Sequence, residues 1–233
     1  MPYPHHVIGL SESKPSAQRL LKRNFGRDVV HMYDDNLALR SGQPSRCFGC
    51  HSAKCRPSQM AVDIASGGFP CPPFSQARDK SKPSASRKTG ATEDHPQFCM
   101  VMDEFVDYLK FRRPLCYWLE EVTGFDVPLE IFNGLSPCKV VAGRLAELGY
   151  SSCCLILNHS VFVKMGRERI FLFGCLPEAG GLAGAENIRN TIVNLMQEVE
   201  KLQGIRGGAI SVWRVVDVSG LQEQRRRRDP EAL

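Results

Sequence analysis

One segment decides the fold of this chain: AVDIASGGFPCPPFS, residues 61–75. Its apolar start predicts a strand over 61–65, which leads into Gly67 and Gly68. The two glycines allow the backbone to turn tightly, and Pro70 stiffens the approach to Cys71. We therefore expect a thiol on a rigid turn at the end of a strand.

Outward from this segment, short apolar runs alternate with stretches of helical spacing. Alternating strands and helices predict an α/β fold with a largely parallel sheet and helices on both faces. A Gly/Ala-rich loop is expected over 179–185. The predicted strands are 7–10, 29–33, 61–65, 115–119, 153–157, 170–173 and 209–218, and the predicted helices are 17–25, 98–109, 140–148 and 188–202.

Length and composition set limits on the class of protein. The chain has 233 residues, of which 42% are hydrophobic and 24% charged, values that suit one folded α/β domain, or one domain with a small appendage. No stretch reaches the ~20 apolar residues of a membrane helix, and no secretory signal is found at the N-terminus. We expect an intracellular protein, nuclear or cytoplasmic, without a membrane partner, and we expect its ten cysteines to be mostly free thiols.

Positive charge is concentrated in two segments. One is the polar loop 76–97, whose basic part is 76–92, and the other is the tail 222–233 with the run Arg225 to Arg228. Basic segments on a nearly neutral body favour contact with a polyanion such as nucleic acid. A solvated mobile loop and a disordered tail remain the alternative.

Several reactive side chains are expected at the carboxyl ends of strands, where open α/β sheets bind ligands. Glu12 and the pair Asp34 and Asp35 follow the first two strands, where carboxylates hold a nucleotide ribose or an adenine amino group. For Glu12 a helix-start role is the alternative. Cys71 and Glu120 follow later strands, and nearby N–H groups and cations are expected to shift Cys71 towards thiolate. A buried, inert thiol is the alternative for Cys71.

Five blocks resemble, in order, those of the cytosine-5 DNA methyltransferases, which use S-adenosylmethionine. The resemblance covers roughly residues 5 to 175. The blocks are Glu12 to Ala17 with Asn24 and Phe25, GGFPCPPFS (67–75), LEEVTGF (119–125), Leu148 to Tyr150 with Leu157 and Asn158, and GRERIFLFG (166–174).

This resemblance implies a Rossmann-like methyltransferase fold and a set of site residues. Cys71 is the implied nucleophile on carbon 6 of a flipped-out cytosine, and Glu120 binds ring nitrogen 3. Arg167 and Arg169 are implied to hold Glu120 and the base. Glu12, Asp34, Asp35 and Pro70 are the implied residues for S-adenosylmethionine.

The chain also departs from the family pattern. Glu121 stands where the family has Asn, and Met165 stands where a Gln precedes the Arg-x-Arg block. The first glycine-rich block, the target-recognition region and the closing blocks are not found, so we expect an incomplete fold that a partner chain could complete. The expected domains are a catalytic domain over 1–175, a helix-plus-strand extension over 176–221 and a disordered tail over 222–233.

A cysteine-rich loop is expected over 40–59. Cys47, Cys50, His51 and Cys55 form C-x₂-C-H-x₃-C, but adjacent Cys50 and His51 suit one tetrahedral zinc ion poorly. We therefore expect reduced thiols and no metal. The same letters resemble a c-type haem attachment word, which an intracellular chain without further haem ligands does not favour.

Three functions follow from these observations. The first is DNA cytosine-5 methylation through Cys71, and the second is the same chemistry on RNA. The third is a catalytically inactive methyltransferase-like module that binds nucleic acid or a partner chain. Cys71, Glu120 and Arg169 favour the first, and the missing blocks favour the third.

Overall fold

The computed structural model describes residues 6–29, 31–75, 95, 97–158, 167–202 and 213–216. The chain divides into two compact units, and each is described by itself. Unit 1 is Met1–Val62 with Glu104–Arg113, and unit 2 is Asp63–Asp103 with Pro114–Leu233. No helix among the described residues is both long and apolar enough to cross a membrane. The basic loop 76–92 and the tail 222–233 lie outside the described residues.

Unit 1 is built on a short parallel pair of strands. Strand β1 (Leu10–Ser11) pairs with β2 (Met32–Tyr33), and helix α1 (Pro15–Phe25) connects them. Pro15 opens α1, a position where the missing N–H of proline does no harm. The short helix α2 (Leu37–Ser41) packs against α3 (Phe105–Arg112). The cysteine-rich loop follows α2 and precedes Val62, the last residue of this stretch of unit 1.

Unit 2 contains a five-stranded sheet with the order β3-β4-β6-β5-β7. Strands β3 and β4 are parallel, whereas the β4–β6, β6–β5 and β5–β7 pairs are antiparallel. Helices α4 and α5 pack against β5, and α5 also packs against β6. The elements are β3 (Ile64–Gly68), β4 (Cys116–Val122), α4 (Pro137–Glu147), β5 (Ser151–Asn158), β6 (Glu168–Cys175), α5 (Gly181–Leu202) and β7 (Trp213–Val216), with a π-helical turn at Met100–Glu104.

The core of unit 2 includes the region where β4 pairs with β6. Tyr117 of β4 is 2% exposed, and its ring lies over Gly174, where an added Cβ would fall 2.2 Å from the ring. The Tyr117 hydroxyl shares a 2.7 Å hydrogen bond with the Ser152 hydroxyl of β5. The glycine therefore lets a large aromatic side chain fill the space between strands, and the buried hydroxyl keeps a polar partner.

The α/β architecture predicted from the alternating pattern is confirmed, with three differences. The sheet is mixed rather than largely parallel, because β5 ends at Asn158 and β6 begins at Glu168, and so short a connection cannot make the long crossover that a parallel pair requires. Helix α5 begins at Gly181, inside the loop expected over 179–185, since close packing of Gly184 on the Ala179 carbonyl suits a helix. Glu120 and Glu121 lie within β4 rather than after it.

Candidate active site

The reactive turn follows β3, next to the end of β4. The two strands are parallel, and Gly68, the last residue of β3, pairs with Glu120. Cys71 comes three residues later and starts a tight turn, in which the Phe74 N–H donates to the Cys71 carbonyl over 3.0 Å. Parallel register therefore brings the turn to the same edge of the sheet as Glu120.

Gly124 fixes the position of this turn. A Cβ at Gly124 would lie 1.8 Å from the Phe74 carbonyl oxygen, so only glycine lets the two loops come this close. The Phe74 ring packs edge-on against Phe125, with 5.1 Å between ring centroids, and both rings are buried. The glycine and phenylalanine of the segment LEEVTGF thus have a structural role, because they hold the Cys71 turn against the end of β4.

Glu120 and Glu121 point to opposite faces of β4, as the two-residue period of a strand requires. Glu120 lies on the more open face, with 33% of its side chain exposed. Glu121 is fully buried on the face of Tyr117 and Leu119. This alternation gives two adjacent carboxyl groups different surroundings.

Arg169 pairs with Glu120. Arg169 lies on β6, antiparallel to β4, and its Nε lies 2.8 Å from Oε1 of Glu120. The contact is an ion pair rather than an aligned hydrogen bond, and Nη1 of Arg169 donates to the Glu168 carbonyl over 2.8 Å. Arg169 is only 9% exposed, so little water screens its positive charge, and its attraction for the Glu120 carboxylate is stronger than at the surface. Arg167, just before β6, is exposed.

Neighbouring charges of both signs affect the pKa of Cys71. Burial raises the pKa of the Cys71 thiol, the charges of Glu121 and Glu120 raise it further, and Arg169 and Arg167 lower it. The net effect is a raised pKa, so the expected shift towards thiolate is wrong. The two carboxyl groups and partial burial outweigh the two arginines in the free protein.

Glu121 is the site residue whose importance the sequence did not indicate. Burial raises the pKa of Glu121 to about 8, and the Val122 N–H, which donates to its Oε2 over 3.1 Å, only partly opposes this. Among the described residues, its Oε1 has no hydrogen-bond partner. The signal that could have found it is its place on the inward face of a strand, beside Tyr117 and Leu119.

The candidate cofactor residues of unit 1 separate into two kinds. Glu12 follows β1, and its Oε1 accepts the N–H of Lys14, the residue before α1, over 2.7 Å. Asp35 accepts the Leu37 N–H and the Ser45 hydroxyl at one oxygen, each over 2.9 Å, so its carboxylate links the first residue of α2 to the cysteine-rich loop. Asp34 has only a loose ion pair, 3.8 Å, with the exposed Arg46 among its side-chain contacts.

Pro70, the remaining candidate, lies in unit 2 and is half-buried beside Cys71 in the turn that follows β3. The structure thus brings Glu120 and Arg169 into contact, with Cys71 close enough to respond to their charges. Within unit 1, Glu12 and Asp34 both follow strands of the β1–β2 pair.

Comparison with known proteins gives one family. A sequence model described as C-5 cytosine-specific DNA methylase matches residues 6–207. The Type II methyltransferase M.BanI of Aneurinibacillus aneurinilyticus is 31% identical over 127 residues, which are 54% of this chain and 26% of that protein. The chain therefore spans about a quarter of the length of this curated relative.

Two solved structures are similar over most of the chain. One is a putative DNA modification methyltransferase encoded within a prophage of E. coli, with 19% identity, a TM-score of 0.47 and coverage of 74% of this chain and 40% of that one. The other is the S. pombe Dnmt2 methyltransferase, with 15% identity, a TM-score of 0.42 and coverage of 74% and 42%.

Proposed function

The chain belongs to the C-5 cytosine-specific DNA methylase family, and on that premise we propose that it takes part in methyl transfer from S-adenosylmethionine to carbon 5 of cytosine in DNA. The observation that carries the proposal is the Glu120–Arg169 ion pair, 2.8 Å between Oε1 and Nε, at the sheet edge that also bears Cys71. A nucleophile, an acid and a fixed cation are the three groups that this chemistry requires.

The first step falls to Cys71. Carbon 6 of cytosine is a poor electrophile, so the sulfur attacks it only when charge is withdrawn through ring nitrogen 3. Glu120, on the more open face of β4, donates a hydrogen bond to that nitrogen in its protonated form. Carbon 5 then becomes nucleophilic and would take the methyl group that S-adenosylmethionine supplies. Transfer of the carbon 5 proton to water or another base would then break the carbon 6–sulfur bond and release Cys71 as a thiolate.

Arg169 keeps Glu120 in position. Its guanidinium is buried and anchored to the Glu168 carbonyl, so it offers a fixed positive charge beside the carboxyl group. The same cation can bind the exocyclic oxygen of the base, with the exposed Arg167 nearby in the chain as a second donor. Fixed charge of this kind stabilises the anion that forms on the ring.

The substrate base has to leave the helix stack for this reaction. Attack on the ring face at carbon 6 is blocked inside a stacked duplex, so the target cytosine must be flipped out or single-stranded. The basic segment 76–92, which lies outside the described residues, supplies positive charge next to the Cys71 turn in sequence and suits a phosphate backbone.

Glu12 and Asp34 are the residues of unit 1 that fit S-adenosylmethionine best. Both follow the strands of a parallel pair, the usual position for carboxylates that hold a ribose or an adenine. Asp34 keeps its carboxylate half-buried with one loose ion pair, whereas the Asp35 carboxylate is held by the Leu37 N–H and the Ser45 hydroxyl. S-adenosylmethionine supplies an electrophilic methyl group, and these carboxylates would bind and orient its nucleoside part.

A covalent trap tests the proposal. An oligonucleotide with fluorine at carbon 5 of cytosine should form a stable adduct with the chain in the presence of S-adenosylmethionine, because fluorine cannot leave as the proton does. Cys71→Ser, a nearly isosteric change, should abolish the adduct, and the exposed-cysteine variant Cys99→Ser should keep it. Adduct formation by Cys71→Ser would overturn the assignment.

Two further arms sharpen the trap. The rate of adduct formation should rise as the pH is raised above neutrality, because burial and the charges of the two glutamates raise the pKa of the Cys71 thiol and so lower its thiolate fraction. Matched DNA and RNA oligonucleotides distinguish the two substrates. Absence of an adduct with either would favour an inactive module that binds nucleic acid or a partner.

A further inference from the structure

Three metal-ligating side chains meet in unit 1, and none of them belongs to the proposed reaction. Ligand atoms of His31, Cys47 and Cys55 all lie within 4.8 Å of one another. The Cys55 sulfur lies 3.2 Å from Nδ1 of His31 and 3.5 Å from the sulfur of Cys50. Two thiols and one imidazole thus converge, although His31 precedes β2 and the cysteines belong to the loop after α2. Cys50 lies outside this set of three, but its exposed thiol is next to Cys55 and can supply the fourth ligand by a small movement.

The spacing of these atoms suits a tetrahedral zinc ion. With zinc bonds of about 2.3 Å to sulfur and about 2.0 Å to nitrogen, a tetrahedron places two sulfurs about 3.8 Å apart and a sulfur and a nitrogen about 3.6 Å apart. The distances of 3.5 Å and 3.2 Å lie within a few tenths of an ångström of these values. A disulfide needs about 2.05 Å between its sulfurs, so Cys50 and Cys55 are not bonded to each other.

The surrounding backbone is arranged to support sulfur ligands. The Cys47 sulfur accepts two backbone N–H groups, from Met32 and from Cys50, each over 3.4 Å. The Tyr33 hydroxyl points to the Cys55 sulfur over 3.8 Å. Outer hydrogen bonds of this kind orient metal ligands and stabilise the thiolate form.

Backbone pairing fixes the cysteines independently of any ligand. Cys47 bridges to Tyr33, and Cys55 bridges to Ser45 through two hydrogen bonds of 2.8 and 3.0 Å. Both bridges are antiparallel, so the loop folds back on itself and against β2. The ligand atoms are therefore held on a defined frame rather than on a loose loop.

His51 does not take part, although the sequence places it next to Cys50. Its backbone adopts the left-handed region with φ 60°, and its Nε2 lies 2.5 Å from Nζ of Lys22 on α1. The ring is therefore directed to α1. This removes the geometric objection to a zinc site that adjacent Cys50 and His51 create.

We propose that His31, Cys47, Cys50 and Cys55 bind one zinc ion in a structural site that ties the cysteine-rich loop to β2. Four protein ligands leave no open position, which is typical of a structural rather than a catalytic zinc. Unit 1 has only short strands and few buried apolar side chains, and small units of this kind are often stabilised by a metal. This inference does not depend on the proposed function.

The metal content of the full chain tests this proposal. Protein purified under reducing conditions and dialysed against metal-free buffer should contain about one zinc per chain by mass spectrometry of the elements. His31→Ala and Cys47→Ser should lower zinc retention at least about tenfold, whereas His31→Cys, which restores a ligand, should retain it. His51→Ala and Cys99→Ser are the matched controls and should bind zinc as the wild type does.

A spectrum of the unmodified chain covers the case in which a ligand variant fails to fold. Cobalt(II) in place of zinc should give the intense visible bands of tetrahedral thiolate coordination, and one equivalent of zinc should abolish them. A weak octahedral cobalt spectrum, a wild type that binds no zinc when supplied with it, or equal zinc loss in His51→Ala and His31→Ala would each overturn the proposal. A Cys50–Cys55 disulfide in the reduced preparation would do the same.

Discussion

Cysteines occur in two very different settings in this protein. Cys71 stands alone on a turn after β3, where its neighbours are two carboxyl groups and two arginines. Cys47, Cys50 and Cys55 lie together in one loop, with a histidine ring at 3.2 Å from the last of them. One setting suits a thiol that attacks a substrate, and the other suits thiols that share a cation.

The difference teaches that the neighbours of a cysteine, rather than its exposure, decide its chemistry. Exposure does not separate the two settings. Cys71 is half-buried, and of the loop cysteines Cys47 is buried and Cys50 is exposed. The charged groups of both signs around Cys71 set the pKa of its thiol and therefore the fraction of reactive thiolate. The sulfur and imidazole groups around Cys55 offer electron pairs, which a metal ion requires of its ligands.

The largest expected effect comes from exchanging sulfur for oxygen in each setting. Cys71→Ser should reduce adduct formation with fluorinated cytosine by at least about 10³-fold and leave the zinc content unchanged. Cys47→Ser should lower the zinc content and the melting temperature. Gel-shift assays of the adduct and metal analysis on the same samples measure both. Loss of zinc in Cys71→Ser would break the comparison.

Backbone packing gives the second contrast. Gly124→Ala should cost about 3 kcal/mol and slow adduct formation, because a Cβ 1.8 Å from the Phe74 carbonyl must displace the Cys71 turn. Gly49→Ala in the cysteine-rich loop should cost less than about 1 kcal/mol, since its Cβ would lie 3.3 Å from the Met32 nitrogen and a small shift relieves it. Urea unfolding followed by fluorescence checks both values. Equal costs would show that the turn is not held as tightly as the geometry indicates.

The third prediction concerns Glu121 and pH. The pKa of Glu121 is about 8 in the folded chain and near 4.5 when exposed, so the unfolded chain releases this proton first as pH rises. The contribution of Glu121 is therefore most favourable below pH 4.5 and declines up to about pH 8, by a few kcal/mol in total. Glu121→Gln, a neutral side chain of similar size, should remove this decline.

Thermal unfolding between pH 5 and pH 8 measures the effect. The control Glu178→Gln changes an exposed carboxyl group and should leave the pH profile of the wild type. If the profiles of the wild type and Glu121→Gln run parallel, the buried carboxyl group is ionised and has a partner. Glu121→Asn, which restores the family residue, should behave like Glu121→Gln.

The family was accessible from the sequence because its motifs depend on local order. The roles of the site residues stay predictions. The α/β fold and the family are confirmed, and the segments that contain Cys71, Glu120 and Arg169 each lie at the end of a strand or within its terminal residues. Strand bounds were less accurate: β3 is Ile64–Gly68 rather than 61–65, because Gly67 and Gly68 still pair with β4. Glycine has a low intrinsic propensity for strands, but pairing with a neighbouring strand can still hold it in one.

Contacts between distant parts of the chain were beyond the sequence. His31 lies in the apolar run VVHMY, where a single histidine gives no sign of metal binding. It comes near the cysteines because the loop pairs with β2, through the Tyr33–Cys47 bridge and the Phe48 N–H, which donates to the Met32 carbonyl. The antiparallel direction of β5 and β6 was more accessible. No helix is predicted between them, and a parallel pair requires a long crossover.

The smallest expected effects separate the two aspartates after β2. Asp35→Ala should cost about 1 kcal/mol of stability, because it removes the acceptor for the Leu37 N–H and the Ser45 hydroxyl, and through Ser45 it should slightly loosen the cysteine-rich loop. Asp34→Ala should cost almost no stability, since its ion pair with Arg46 spans 3.8 Å and Arg46 is 77% exposed. In calorimetric titration with S-adenosylmethionine the order should reverse: Asp34→Ala should weaken binding about tenfold, whereas Asp35→Ala should leave the affinity unchanged. Weaker binding in Asp35→Ala alone would transfer the cofactor role to Asp35 and leave Asp34 as a surface residue. Equal affinity in both variants and the wild type would place the cofactor contacts on other residues.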